Sequence, residues 1–153
     1  GWPSRTARAV GVDAEHGRMV SVRDMQGLTD FVAYFGMGLG FMLLYLLLYL
    51  YATPHREITL IRGDNLPAAV VLAGALLGFA LPLASALRIG GGVIDVAAGA
   101  SIALFAQLAA YALVALLLRD FSKRINRGEM AAAMMAATIH LGVGLLNSAA
   151  MSF

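Results

Sequence analysis

The residues best equipped for chemistry lie late in the chain. His140, Gly144 and Asn147 recur at spacings of four and three, with Ser148 beside them, so they share one face if the segment is helical. Histidine is the side chain that exchanges a proton nearest neutral pH, and asparagine adds both a donor and an acceptor. Such a line could pass a proton or a small polar solute. Gln107 and Tyr111, one helical turn apart, could extend it from a neighbouring segment. The same residues also suit packing chemistry: Gln107 set against His140 or Asn147 would form interhelical hydrogen bonds, each worth on the order of 1 kcal/mol. His140 has no carboxylate or second histidine at ligand spacing, and His16 and His55 lie outside the apolar segments, so no metal site is expected. No acidic pair and no phosphate loop appear, and Ser85, Ser101 and Ser148 have no base partner in view. Neither an enzyme nor a cofactor is expected.

The elements that must hold these residues are set by composition. Of 153 residues, 60% are hydrophobic and only 13% charged, with a mean hydropathy of +0.79. Soluble domains carry about 25% charged residues, so a water-facing shell cannot be built from this set. Segments 31–52, 67–87, 96–118 and 130–152 carry almost no charge. Each is close to the ~20 residues a helix needs to cross ~30 Å of hydrocarbon. Lipid forces the backbone to satisfy its own hydrogen bonds, which makes these runs helices. The expected class is all-α: a polytopic membrane protein of four transmembrane helices over residues 31–153, preceded by a flexible or interfacial tail over 1–30. The first segment ends in no small-residue cleavage site, so it is expected to be retained.

The net charge of +2 is too small to argue for nucleic acid, and no cysteine is present. The connectors 53–66 and 119–129 hold Arg56, Arg62, Arg119, Lys123, Arg124 and Arg127, whereas the connector between spans two and three holds only Arg88. The excess of positive charge predicts that connectors 53–66 and 119–129 are cytoplasmic and that both termini lie outside. Arg5, Arg8, Arg18 and Arg23 in the tail run against this assignment; a start at Met19 would leave only Arg23. The basic turn of connector 119–129 suits anionic headgroups of the lipid bilayer.

Helix ends and contacts are marked by ordinary signals. Asn65 is placed to cap span two, with Asp64 at its positive end and Pro67 in the first turn. Asp95 and Glu129 would do the same for spans three and four, and Asp30 could start span one. Gly36 and Gly40, and then Gly74 and Gly78, are four apart, a spacing that lets helices approach closely. Pro82 removes one hydrogen bond inside span two and frees the carbonyl of Gly78, so a kink or a ligand point can arise there. Laying residue 65 on residue 129 aligns Ala68 and Ala69 with Ala132 and Ala133, and Gly78 with Gly142. This predicts a parallel repeat of two helices, related by an axis along the membrane normal. Composition alone could also produce the match. Gly142, as the counterpart of Gly78, joins the expected packing set.

One stretch is distinctive in wording. Thr53, Pro54, His55 and Glu57, followed by Leu60 and Ile61, lead into Asn65, Ala68, Ala69, Gly74, Gly78, Pro82, Leu83 and Ser85. Gln107, and then Gly144, Leu145, Asn147, Ala149 and Met151, complete the pattern. Over residues 31–153 the chain resembles the YjfL-like family of small bacterial inner-membrane proteins, a domain of unknown function. It departs from the family at Ala97 and Ala98, where an aromatic is usual, and at Ala150, where a cysteine often stands; His140 is not a family position. The resemblance implies four helices in the bacterial inner (plasma) membrane and company with envelope-stress proteins. It carries no activity.

Two functions are expected from this reading. The first is a non-enzymatic helical component that assembles as a homo-oligomer or with other membrane subunits. The alternative is an oligomeric channel or small transporter, with a polar path made by Gln107, Tyr111, His140 and Asn147.

Overall fold

A computed structural model describes the backbone of residues 6–54 and 56–152, and side chains from residue 24 onward within that range. Six helices follow one another: α1 (Thr6–Ala52), α2 (Glu57–Arg62), α3 (Leu66–Ile89), α4 (Val93–Leu117), α5 (Phe121–Asn126) and α6 (Met130–Ala150). Among the described residues, four segments are long and apolar enough to cross a membrane: Asp24–Ala52, Leu66–Ile89, Val93–Leu117 and Met130–Ala150. The spans match the charge-poor segments to within a few residues, except at the first. There the helix runs through Asp30, the expected start, because no proline interrupts it and a single glycine, Gly27, costs too little to end a helix.

The chain forms two compact units, Gly1–Met37 and Gly38–Phe153. In the first, Phe31 and Phe35 stack at 5.5 Å between ring centres, and Thr29 Oγ1 donates to the Met25 carbonyl at 2.9 Å.

In the second unit α3 and α6 make the closest helix contact. Gly74 lies against Ala137, Gly78 against His140, and Gly144 against Gly78. Further along, the Ser85 and Ser148 hydroxyls meet at 2.8 Å. Numbers rise together along both helices, so the pair is parallel. α4 runs antiparallel to α3, with Gly99 against Ala86 near one end and Gln107 against Gly78 further down. The last part of α1 rests on this three-helix core through Gly38 on Leu87 and through Tyr45 stacked on Phe79 at 4.5 Å.

The connectors are structured by capping. The Asn65 side chain accepts from the Ala68 N–H at 2.9 Å and donates to the Ile125 carbonyl at 3.0 Å. It thus caps α3 and ties the 53–66 connector to α5, which puts both connectors at one end of the bundle. Asn65→Ala removes both bonds and is expected to cost about 1–2 kcal/mol in detergent unfolding experiments. Asp95 lies in the first turn of α4, but the N-cap residue is Gly92. Glu129 occupies the N-cap of α6 without a side-chain capping bond. Its carboxylate is instead held by Arg124 Nε at 2.6 Å. Asp120 and Gly128, at positive φ of 55° and 82°, turn the chain into and out of α5.

Candidate functional site

The centre of the bundle is a two-point clamp between α4 and α6. Gln107 Nε2 donates to the His140 carbonyl at 3.0 Å, and Gln107 Oε1 lies 2.8 Å from His140 Nδ1. An amide nitrogen has only hydrogens to offer, so pairing it with the carbonyl leaves Oε1 as acceptor. Nδ1 therefore carries the imidazole hydrogen, and Nε2 holds the lone pair; the tautomer follows from the network. Both residues are fully buried.

Backbone approach makes room for this clamp. A Cβ on Gly78 would strike the His140 carbonyl and Gln107 Nε2, and one on Gly144 would strike the Gly78 carbonyl. The hydrogens in those places point at carbonyl oxygens, the geometry of weak Cα–H···O bonds. Pro82, buried inside α3, has no N–H to give the Gly78 carbonyl four residues back. That oxygen is therefore free to face Gly144. Gly78, Pro82 and Gly144 form one device, with Gln107 and His140 seated beside it.

Tyr49 links the clamp to the connector end. Its ring meets His140 edge-on at 5.8 Å and Tyr111 edge-on at 5.7 Å. Tyr45 lies one turn away at 5.9 Å. The Tyr49 hydroxyl donates to Glu57 Oε1 at 3.1 Å. Glu57 opens α2 and is only 1% exposed. A carboxyl, three phenols and an imidazole thus share the interior around one tyrosine.

The polar residues named from the sequence are distributed along this interior. Gln107 and His140 bond directly; Tyr111 is half-buried and joins them through Tyr49. Asn147, half-buried, lies one turn beyond Gly144, with its Nδ2 buried and unpartnered among the described residues. Of the glycines, Gly74 and Gly78 sit in the α3·α6 contact, whereas a Cβ on Gly36, Gly40 or Gly142 would meet nothing within 4 Å. The phase of each helix explains the difference. On α1 the buried face passes through Gly38, Tyr45 and Tyr49, and Gly36 and Gly40 are each two residues from Gly38. On α6 it passes through Ala133, Ala136, His140 and Gly144, again two residues from Gly142. The sequence reading did not place Tyr45, Tyr49 or Glu57 among the polar groups of the interior. Their signal was two hydroxyls four apart inside an apolar span, each needing a partner, and an acid opening a short apolar helix.

Among the described residues no group of three histidine or acidic side chains could hold a metal ion. The chemistry on offer is hydrogen bonding and proton exchange between buried groups.

Comparison with known proteins gives the chain a family. The family described as Domain of Unknown Function (DUF350) matches residues 24–151. The UPF0719 inner membrane protein YjfL of Escherichia coli K12 is 35% identical over 129 residues, covering 84% of this chain and 98% of that protein. Its counterpart in Escherichia coli O157:H7 matches to the same extent. No solved structure matches the chain. With nearly the whole bundle covered, from the first apolar span to the end of α6, this chain belongs to the DUF350 family of membrane proteins.

Proposed function

We propose that the protein is a non-enzymatic component of the bacterial inner membrane, working as a subunit of a homo-oligomer or of a larger membrane complex. The observation that carries this reading is the bareness of the first span. Within the second unit, α1 leaves Leu39, Leu43, Leu44 and Leu47 exposed. Gly36, Gly40, Leu43 and Leu47 recur at helical spacing along α1, and within the second unit Gly40 faces open space. Small residues at that spacing let a second helix approach closely where lipid gives no hydrophobic drive. The chain has no cysteine, so Gly40→Cys would supply a single reporter thiol. Disulfide-linked dimers in membranes are the expected result, together with an oligomer in native mass spectrometry. A strictly monomeric, partnerless protein would count against the proposal. A place beside envelope-stress proteins is part of this reading and rests on family resemblance.

The basic residues of connectors 53–66 and 119–129 support placing both in the cytoplasm and the termini outside. The parallel two-helix repeat belongs to the same picture. Ser85 meets Ser148, 63 residues on, close to the offset that lays residue 65 on residue 129.

A second reading, a channel or small transporter built as an oligomer, is favoured by the polar line from Tyr111 through Gln107 and His140 to Asn147. Liposome flux lost in Asn147→Leu would support it, and no flux for any common ion or metabolite would sink it.

A further inference from the structure

The interior around Tyr49 holds more hydrogen-bonding capacity than the protein itself uses. The Tyr45 hydroxyl and His140 Nε2 are buried without a partner among the described residues, and both rings pack on the ring of Tyr49. Tyr49 is itself bonded to the buried carboxyl of Glu57. Unused capacity in a polar interior is where bridging water enters. Ionisable groups at membrane depth, strung together by hydroxyls and water, are the material of proton relays. At the connector end a surface cleft of about 230 Å³ is lined by Pro54, Tyr111, Asp120 and Lys123. From it the half-buried Tyr111 reaches Tyr49 edge-on. His140 stands at the midpoint of α6.

We propose that Glu57, Tyr49 and His140 form a proton half-pathway from the membrane face bearing connectors 53–66 and 119–129 to the middle of the bilayer. A proton taken from water by the Glu57 carboxylate is first held as the carboxylic acid. Tyr49 then gives its hydroxyl proton to a bridging water, and that water gives one of its own to the lone pair of His140 Nε2. Glu57 returns its proton to the Tyr49 oxygen. Tyr49 and the water end unchanged, Glu57 ends as carboxylate and His140 as imidazolium. One proton has moved inward, and His140 ends carrying the positive charge that entered with it. The Nδ1 hydrogen stays on Gln107 Oε1 throughout, which keeps the accepting ring in place.

Among the described residues, Tyr45 of α1 and Tyr111 of α4 are titratable groups whose rings pack on Tyr49. In the α5 connector, Asp120 pairs with Lys123 at 3.1 Å and Glu129 with Arg124. The half-pathway requires no flux across the membrane. A protein that protonates His140 and conducts nothing satisfies it, so it stands or falls separately from the channel reading and from oligomer formation.

Time-resolved infrared spectroscopy on the full chain in lipid nanodiscs tests it after an acid pH jump. The wild type should lose a carboxylate signal, a change absent in Glu57→Gln, and recover it as an imidazolium signal, absent in His140→Gln, appears. Tyr49→Phe and Glu57→Gln should each slow the imidazolium signal by about a hundredfold. Glu57→Gln keeps an acceptor for the Tyr49 hydroxyl, so it carries the test even if Tyr49→Phe fails to fold. The wild-type rate should also fall in deuterium oxide, which needs no variant. The proposal is overturned if His140 stays neutral until the protein unfolds. It is overturned equally if either folded variant forms imidazolium at the wild-type rate, or if deuterium oxide has no effect.

Discussion

Gly144→Leu should unfold the bundle or cost more than about 3 kcal/mol in detergent or bicelle unfolding, while Gly142→Leu, two residues away, should be near neutral. Added atoms in a packed core cost about 1–3 kcal/mol when neighbouring side chains can move aside. At Gly144 the obstacle is the backbone of Gly78, which no rotamer change can clear. Gly78 is itself pressed against the His140 carbonyl, so α3 could retreat only by opening the clamp. Even Gly144→Ala should therefore reach the upper part of that range. At Gly142 a Cβ meets nothing within 4 Å, and helix propensity favours leucine over glycine. Equal effects at the two sites would mean that α3 and α6 do not meet as described.

The second large effect is expected at the clamp. Gln107→Leu strands His140 Nδ1–H in a fully buried site, and an orphaned buried donor costs about 1–3 kcal/mol. The carbonyl of His140 suffers less, because the helical N–H of Gly144 still serves it. Gln107→Leu combined with His140→Leu removes both partners and should be less damaging than the sum of the single changes. The coupling read from that double-mutant cycle should be about 1 kcal/mol, the scale of hydrogen bonds between helices in lipid. A coupling near zero would show that the two side chains do not bond in the bilayer.

Much of the fold was legible because membrane helices announce themselves by composition. The spans, the Asn65 cap and the approach at Gly74 and Gly78 depend on local features that a sequence displays directly. The candidate site was legible only in part. Gln107 and His140 stood out because polar groups are rare inside apolar spans. Glu57 did not, since a connector is where an acid is ordinarily solvated. It is buried because Ile61, Leu60 and the capped start of α3 fold α2 back onto the core. Tyr45 and Tyr49 were hidden by their own apolar bulk among leucines. Glycine spacing identified helix approach on α3, but on α1 and α6 it left open which face looked inward. That phase is set by the large residues, Tyr45 and Tyr49 on one helix and His140 on the other. A glycine pattern alone carries no such information.

The parallel contact of α3 with α6 has a consequence for biosynthesis. Two neighbouring spans can pair as a hairpin while they are still being inserted, but α3 and α6 enter the membrane in the same sense with α4 between them. Gln107 precedes its partner His140 by 33 residues. It must therefore wait in the nascent protein, with its amide unmatched, until the last span is delivered. For that interval the half-made protein exposes a polar group to lipid, the kind of signal by which membrane quality control or an insertion chaperone can hold an unfinished chain.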